Sequence, residues 1–306
     1  MLGYILRRVL GLIIVILLAS MIAFFLMHAV PGGPFDELKM PLPEAVKKEI
    51  LKKYGFDKPI WEQYLNYIWN ALHGDFGVPF QSPTETVLSL IARVWPVTLQ
   101  IGAVTIFLSF SIGILLGIIS ALKQNTWLDY LITTIATLGT TVPNFVIAIW
   151  LILFFSITLR WLPTGGWGEP RHFILPVMSY LLAPTAVITR FVKVNFLEEL
   201  RKDYVRTARA KGLPEKTVIF RHVFKNALVP IITMLGPMIP DLATGSIFIE
   251  VTFRVPGLGK FFYTSALNRD YPMIVAMILL IAILWGVTYL ITDIIYAYID
   301  PRIVFT

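Results

Sequence analysis

The polar side chains that lie inside apolar stretches are the residues of this chain best placed to do chemistry. Asp241 stands well inside the apolar stretch Leu228–Val251, and Asn144 follows Pro143 in another such stretch. A charged group in hydrocarbon is costly, so it faces a polar path or pairs with an opposite charge. Asp241 and Asn144 are therefore predicted to line a path through a membrane. For Asp241, a cavity-facing role that meets a cationic group stands beside pairing with an Arg or Lys.

Residue sets for enzymatic chemistry are absent from the sequence. The 4 histidines form no H-E-x-x-H motif, the serines form no G-x-S-x-G elbow, and there is no cysteine. The stretch most like a phosphate-binding loop runs from Arg254 to Phe261, and it lacks both the first glycine and the hydroxyl residue. The sequence predicts no catalytic residue, no metal site and no cofactor site in this chain.

A polar segment, Lys193 to Asn226, interrupts the apolar sequence and is rich in Lys and Arg. Its residues from Asp203 onward favour a helix, and Gly212 suits the left-handed position just past a helix end. Pro214 can open a second helix at its first turn, where the missing N–H costs nothing. The segment is predicted to be a helix-turn-helix, shaped to dock on a soluble partner. The alternatives are that its charge only sets topology and meets anionic lipid, or that it is a DNA-binding helix-turn-helix, which tethering between two spans disfavours.

The elements that must position these residues are membrane helices. The chain is 57% hydrophobic and only 15% charged, with a mean hydropathy of +0.74. A spanning helix needs about 20 mostly apolar residues, and the prediction is an all-α polytopic membrane protein with six transmembrane helices. The predicted spans are Val9–Val30, Trp95–Ile119, Leu131–Leu159, Phe173–Thr189, Leu228–Val251 and Met273–Tyr298. The fourth is expected to be broken by its two prolines, Pro176 and Pro184, and the third to kink at Pro143.

Lys and Arg are concentrated in alternate loops, which predicts that both termini are cytoplasmic. The net charge of +7 comes from loops between apolar runs, so it indicates topology and inner-leaflet lipid and no nucleic-acid partner. The predicted divisions are an N-terminus with the first span (1–30), an extracytoplasmic helical segment (31–94), and a five-helix core (95–306) that includes the polar loop 193–226. The predicted location is the cytoplasmic (inner) cell membrane.

Smaller patterns predict local structure around these spans. Apolar residues at helical spacing between Trp61 and Leu72 predict an amphipathic helix, and a second stripe runs from Val46 to Tyr54. The sequence Ser82-Pro83-Thr84-Glu85 has the pattern of a capping box. Gly113 and Gly117 form a GxxxG motif, which predicts close packing against a helix of this chain or of a partner.

The polar segment resembles the coupling-loop signature of ABC importer permeases, and more narrowly that of the dipeptide/oligopeptide/nickel permease family. The resemblance is carried by Asp203-Tyr204-Val205-Arg206-Thr207-Ala208-Arg209-Ala210-Lys211-Gly212-Leu213, by His222, and by Asn226-Ala227-Leu228-Val229-Pro230. Further matches are Pro31-Gly32-Gly33-Pro34, the stretch Glu250–Gly259, Arg269-Asp270-Tyr271-Pro272 and Asp300-Pro301-Arg302. Two departures are Arg206-Thr207-Ala208 where the broader signature has Glu-Ala-Ala, and Gly33 where an acidic residue is common.

The resemblance implies the permease subunit of an ATP-driven importer of dipeptides or oligopeptides. The implied partners are a second related permease, two ATPase subunits or domains that bind ATP and Mg, an extracytoplasmic substrate-binding protein and the lipid bilayer. The implied ATPase-coupling residues are Tyr204, Arg206, Thr207, Ala208, Lys211, Gly212, Leu213 and Pro214. The implied outer gate or receptor-docking residues are Glu250, Pro256, Gly257, Gly259, Arg269 and Asp270. The alternatives are a same-family importer of oligosaccharides or nickel, and an ATP-independent secondary transporter.

Overall fold

The computed structural model of the chain describes residues 2–29 and 55–299, and every regular element in these ranges is helical. In chain order the helices are α1 (Leu2–Ala29), α2 (Ile60–Leu72), α3 (Val87–Leu122), α4 (Trp127–Thr141), α5 (Asn144–Leu151), α6 (Arg171–Leu200), α7 (Asp203–Ala210), α8 (Glu215–Thr217), α9 (Phe224–Thr233), α10 (Leu235–Thr244), α11 (Ile247–Thr252), α12 (Leu258–Asn268) and α13 (Tyr271–Ile299). Two π-helical turns, Ile152–Thr158 and Val218–Val223, extend α5 and α8. The predicted all-helical fold class is confirmed for these residues, and so is the amphipathic helix α2.

Four of these helices, α1, α3, α6 and α13, are long and apolar enough to cross a membrane. The pair α4 and α5 passes the same test together but is bent by 104°, as a broken span or a re-entrant loop would be. The described part of the chain therefore supplies four spanning candidates, or five if the bent pair counts as one. The first, second and sixth predicted spans correspond to α1, α3 and α13.

The third predicted span is broken at its proline, whereas the fourth is a continuous helix that contains two prolines. Val142, which precedes Pro143, is extended with ψ 124°, because the proline ring disfavours helical backbone in the residue before it. The chain therefore bends sharply between α4 and α5. In contrast, α6 runs unbroken through Pro176 and Pro184, so the expected break there is wrong. Prolines inside a membrane helix are tolerated where neighbouring helices pack around them, and α4, α5 and α9 all pack on α6.

The predicted fifth span, Leu228–Val251, is not a single helix. Its residues are divided among α9, α10 and α11, with breaks at Met234 and at Gly245, whose φ is +77°. None of the three helices reaches the length of a spanning helix. Pro230, Pro237 and Pro240 each remove a backbone donor, which weakens a continuous ladder of hydrogen bonds.

The start of α3 is capped differently from the prediction. The helix begins at Val87, and the preceding Thr86 exchanges hydrogen bonds with Ser89. The Thr86 amide donates to Ser89 Oγ at 3.1 Å, and the Ser89 amide donates to Thr86 Oγ1 at 3.2 Å. The capping box predicted at Ser82–Glu85 is therefore wrong by one turn, and Glu85 instead pairs with Arg93 at 2.8 Å.

The described residues form two compact units. The first contains the chain up to Pro96 and from Leu258 onward, where α1 packs along α13. The second contains Val97–Gly257, where α6 is the central helix. In this second unit, Gly113 and Gly117 of α3 lie against Ile188 and Val192 of α6, so the neighbour of the GxxxG motif belongs to this chain. The stripe from Val46 to Tyr54 and the motifs at Pro31–Pro34 and Asp300–Arg302 lie outside the described residues.

Candidate functional site

The structure brings the two predicted path residues, Asn144 and Asp241, to one cavity of about 430 Å³. The cavity lies in the second unit, and its wall also contains Tyr180, Pro184, Val187, Pro237 and Met238. The Asp241 side chain is exposed there, and no described Lys or Arg pairs with its carboxylate. The alternative in which Asp241 is an ion-pair partner within the described chain is thereby disfavoured.

The breaks in the predicted spans create this cavity. Because of the bend at Pro143, Asn144 is the first residue of α5. Because of the break at Met234, Asp241 lies in the separate short helix α10. Tyr180 of α6 lines the same cavity, and its Oη donates to the main-chain oxygen of Asp241 at 3.5 Å. A carboxylate and an amide on one wall can accept hydrogen bonds from a cationic or donor group of a solute.

The predicted coupling segment is a short two-faced helix. On one face of α7, Val205 and Ala208 are buried in a cluster formed within this chain. On the other face Arg206, Thr207 and Lys211 are exposed. The small side chain of Ala208 therefore packs on a core of this chain. The exposed face is what a partner can reach.

Hydrogen bonds within the chain close the bend after α7. Gly212 has φ +74°, as the sequence predicted, and its amide donates to the carbonyl of Arg209 at 2.9 Å. The guanidinium of Arg209 spans the bend and donates twice to the carboxylate of Glu215, at 2.6 and 3.1 Å. This hydrogen bond lowers the pKa of Glu215. Pro214 is the residue before α8 and not its first helical residue, so the predicted position of the second helix start is one residue early.

Tyr204 anchors the other end of α7. Its Oη donates to the carboxylate of Glu199 at 2.5 Å, and Glu199 also pairs with Lys202. Burial and this hydrogen bond together raise the pKa of Tyr204. Tyr204 therefore fixes the angle at which α7 leaves α6, and its hydroxyl is engaged within the chain.

In the second unit, the predicted gate residue Glu250 is buried, with 3% of its surface exposed. Its Oε1 accepts from Thr98 Oγ1 at 2.8 Å. Gly257 packs directly on the carboxylate, since a Cβ at that position would lie 2.6 Å from the carboxyl carbon. Pro256 is half-buried beside it. This arrangement favours ordering of the loop over contact of Glu250 with a receptor.

In the first unit, the predicted gate residue Asp270 is also buried, with 1% exposed. It accepts hydrogen bonds from the backbone amides of Gln81 at 3.2 Å and Met273 at 3.4 Å. Gly259 is buried in α12, and Arg269 is half-buried with φ +54°. A carboxylate enclosed in this way holds the loop before α3 against the start of α13 and offers nothing to a soluble receptor.

The burial of Asp270 predicts a pH-dependent stability. Burial raises its pKa, so the folded protein binds the proton more tightly than the unfolded chain does. The contribution of Asp270 to stability is then present at pH below its ordinary value of about 4 and is lost as pH rises through its raised pKa. We expect the unfolding temperature, measured from low pH to neutrality, to contain a falling component that Asp270→Asn removes. Asp203→Asn, at an exposed carboxylate, is the matched control, and equal pH profiles for Asp270→Asn and wild type would contradict the assignment.

Sequence reasoning missed a buried polar cluster formed by Asp129 and Lys193. Lys193 Nζ lies 2.5 Å from Asp129 Oδ1, with 5% of the Asp129 side chain exposed. Ser120 Oγ also donates to Asp129, and the amide of Asn125 donates at 3.0 Å. The cluster ties α3, α4 and α6 together. The available signal was Asp129 in the first turn of α4, where the helix dipole favours a carboxylate.

Comparisons with known proteins cover nearly the whole chain. Residues 1–104 match the family described as the N-terminal part of the binding-protein-dependent transport system membrane component, and residues 113–305 match the binding-protein-dependent transport system inner membrane component. The oligopeptide transport system permease protein OppB of Salmonella typhimurium is 41% identical over 305 residues, covering 99% of each chain. The dipeptide transport system permease protein DppB of Lactococcus lactis is 39% identical over 304 residues, again covering 99% of each.

A solved structure shares the fold. A chain from the inward facing conformations of the MetNI methionine ABC transporter aligns with a TM-score of 0.56 and 18% identity. The alignment covers 70% of this chain and 97% of that chain.

Proposed function

The chain belongs to the family of binding-protein-dependent transport system inner membrane components, and from this premise we propose that it carries dipeptides or oligopeptides through the cytoplasmic membrane. Family membership confirms the resemblance predicted from the coupling signature. It also confirms that the chain is an integral membrane permease subunit of an ABC importer and not an enzyme. The names of the relatives support a peptide substrate, while oligosaccharides and nickel remain the alternatives within the same family.

The observation that carries the proposal is the two-faced helix α7 with its fixed bend. We propose that its exposed residues enter a cleft on a separate ATPase, which binds ATP and Mg, since this chain has no phosphate-binding loop. The candidate contact residues are Arg206, Thr207, Lys211, Gly212, Leu213 and Pro214, and Tyr204 and Ala208 hold the helix from behind. Because Tyr204 anchors α7 to Glu199 of α6, movement of the ATPase would be transmitted from α7 to the membrane helices.

The proposed assembly has this chain paired with a second related permease, two ATPase subunits or domains, and an extracytoplasmic substrate-binding protein. We propose six crossings with both termini cytoplasmic, in which the bent pair α4–α5 and the broken series α9–α11 supply the third and fifth. The division into 1–30, 31–94 and 95–306 is kept as part of this proposal. Irregular backbone at membrane depth is tolerated where it lines a cavity. The breaks at Pro143 and Met234 lie beside the cavity of Asn144 and Asp241.

The coupling role is tested at the tip of the bend. Leu213 is 37% exposed, and no hydrogen bond or ion pair ties its side chain to the chain. We expect Leu213→Asp to leave the permease folded but to remove transport-linked ATP hydrolysis, because an apolar contact in the cleft is replaced by a charge. The measurement is substrate-stimulated ATPase activity of the intact assembly in vesicles, together with the amount of ATPase that copurifies.

Lys123→Glu is the matched control for Leu213→Asp. Lys123 is exposed and, in the proposed orientation, lies on the same side of the membrane but outside the coupling segment. Unaltered stimulation of ATP hydrolysis in Leu213→Asp would remove the coupling role. Full peptide transport by this chain alone in liposomes would instead favour the ATP-independent secondary transporter.

A further inference from the structure

Arg190 is a cation that directly follows the predicted fourth span, Phe173–Thr189, and it has no acidic partner among the described residues. It lies in α6, which is apolar enough to span a membrane. Its Nη2 donates to Thr140 Oγ1 and to the carbonyl of Ala136, both on α4. These two neutral oxygens orient the guanidinium but leave its charge uncompensated, and three of its five donors point elsewhere. A guanidinium held in this way can bind an anionic group of a solute.

The side chain of Arg190 borders a second cavity, of about 460 Å³. Thr140, Phe191 and Asn195 also line it, and Glu198 stands at its far end without pairing to Arg190. Val187 lines both this cavity and the one that contains Asn144 and Asp241. The two cavities therefore follow the same side of α6, with a carboxylate on one and a guanidinium on the next.

The separation of Tyr180 and Arg190 along α6 suits a short peptide. Tyr180, whose hydroxyl donates to the main-chain oxygen of Asp241, comes ten residues before Arg190 in the continuous helix α6. At 1.5 Å per residue this is a rise of about 15 Å. An extended chain covers about 3.5 Å per residue, so about four residues fill the interval.

We propose that Arg190 binds the terminal carboxylate of the transported peptide while Asp241 binds its terminal ammonium group. This inference rests on the proposed function and gives the path a preference for zwitterionic peptides with both termini free. Arginine suits the role because its planar fork matches a carboxylate with two parallel hydrogen bonds. The bonds from Arg190 to Thr140 and Ala136 hold that fork in place before the substrate arrives.

The experiment compares peptides with blocked termini in the complete assembly, reconstituted in vesicles with its binding protein. Uptake of a tetrapeptide is measured in three forms: free at both ends, amidated at the carboxyl end, and acetylated at the amino end. Wild type, Arg190→Gln, Arg190→Lys and Asp241→Asn are compared, each as the ratio of free to blocked peptide. The binding protein is the same throughout, so its own preference cancels between variants.

We expect Arg190→Gln to reduce the free-to-amidated ratio by about tenfold, the effect of one lost charge-assisted hydrogen bond, and to leave the free-to-acetylated ratio unchanged. Arg190→Lys should restore part of the free-to-amidated ratio. Asp241→Asn should reduce the free-to-acetylated ratio and leave the free-to-amidated ratio unchanged. Arg171→Gln, at an exposed arginine at the other end of α6, is the matched control and should leave both ratios as in wild type.

Equal loss of uptake for all three peptides in Arg190→Gln would overturn the inference but not the proposed function. Loss of the copurifying second permease in that variant would also overturn it, because the carboxylate would then belong to a partner subunit. Absence of peptide uptake in wild type, with another solute carried, would overturn the proposed function and this inference with it.

Discussion

Asp129→Ala is expected to destabilise the protein by about 2 kcal/mol, the cost of removing a charged acceptor from its hydrogen bonds with a half-buried lysine and its neighbours. The ammonium group of Lys193 would lose its carboxylate, and the amide of Asn125 and the hydroxyl of Ser120 would lose their acceptor. Because these groups join α3, α4 and α6, their loss loosens the helix from which the coupling segment extends. The measurement is the unfolding temperature of the purified protein, with substrate-stimulated ATP hydrolysis of the assembly as a second readout.

A matched control for Asp129→Ala is Glu62→Ala, which breaks the exposed pair between Lys58 and Glu62 at 2.8 Å. Exposed pairs of this kind contribute about 0–1 kcal/mol, so this variant should melt almost as wild type does. The double variant Asp129→Leu with Lys193→Met should recover much of the lost stability, because neither charge is then buried alone. Equal melting of Asp129→Ala and Glu62→Ala would show that the cluster contributes nothing beyond a surface pair.

Gly117→Leu is expected to prevent the native packing of α3 on α6, at a cost of about 3 kcal/mol or more. A Cβ at this position would lie 2.6 Å from the Cβ of Val192 and 2.8 Å from the carbonyl oxygen of Thr189. The second contact is with backbone, so the strain cannot be relieved by a side-chain rotation and the helices must separate. The yield of monodisperse protein and its unfolding temperature report the effect.

Gly11→Leu tests whether glycine as such explains the result. Gly11 lies in the apolar helix α1, and a Cβ there would meet no atom within 4 Å. Leucine is also the better helix former, so this variant should keep or gain stability. A similar fall in unfolding temperature in Gly11→Leu and Gly117→Leu would show that the effect does not come from the contact between α3 and α6.

Much of the fold could be predicted from local sequence. Length and apolar content locate α1, α3 and α13, because a bilayer-spanning helix must satisfy all its backbone hydrogen bonds internally. The bend at Gly212 was also predictable, since glycine is the residue that adopts a positive φ at no steric cost. In these cases the backbone hydrogen bonds or the backbone dihedral angles depend only on residues that are close in sequence.

At proline, local reasoning was right about the kink at Pro143 and wrong about a break at Pro176 and Pro184. Pro143 bends the chain by 104° between α4 and α5, whereas α6 passes straight through Pro176 and Pro184. The ring removes one donor in each case, but only the packing of neighbouring helices decides whether the helix survives the loss. The candidate site shows the same limit: Asp129 and Lys193 are 64 residues apart in sequence, and nothing in either local pattern announces their contact.

The sequence by itself determined that this chain is a helical membrane protein with a basic bend, because bilayer thickness and backbone chemistry act on short stretches of residues. Only the tertiary structure decided which polar groups face a cavity and which are enclosed. Asp241 lines a cavity beside α6, whereas Glu250 and Asp270, equally acidic in the sequence, are buried in loop packing. The reason is physical: the exposure of a charged group depends on what other elements place around it, and those elements are distant in the chain.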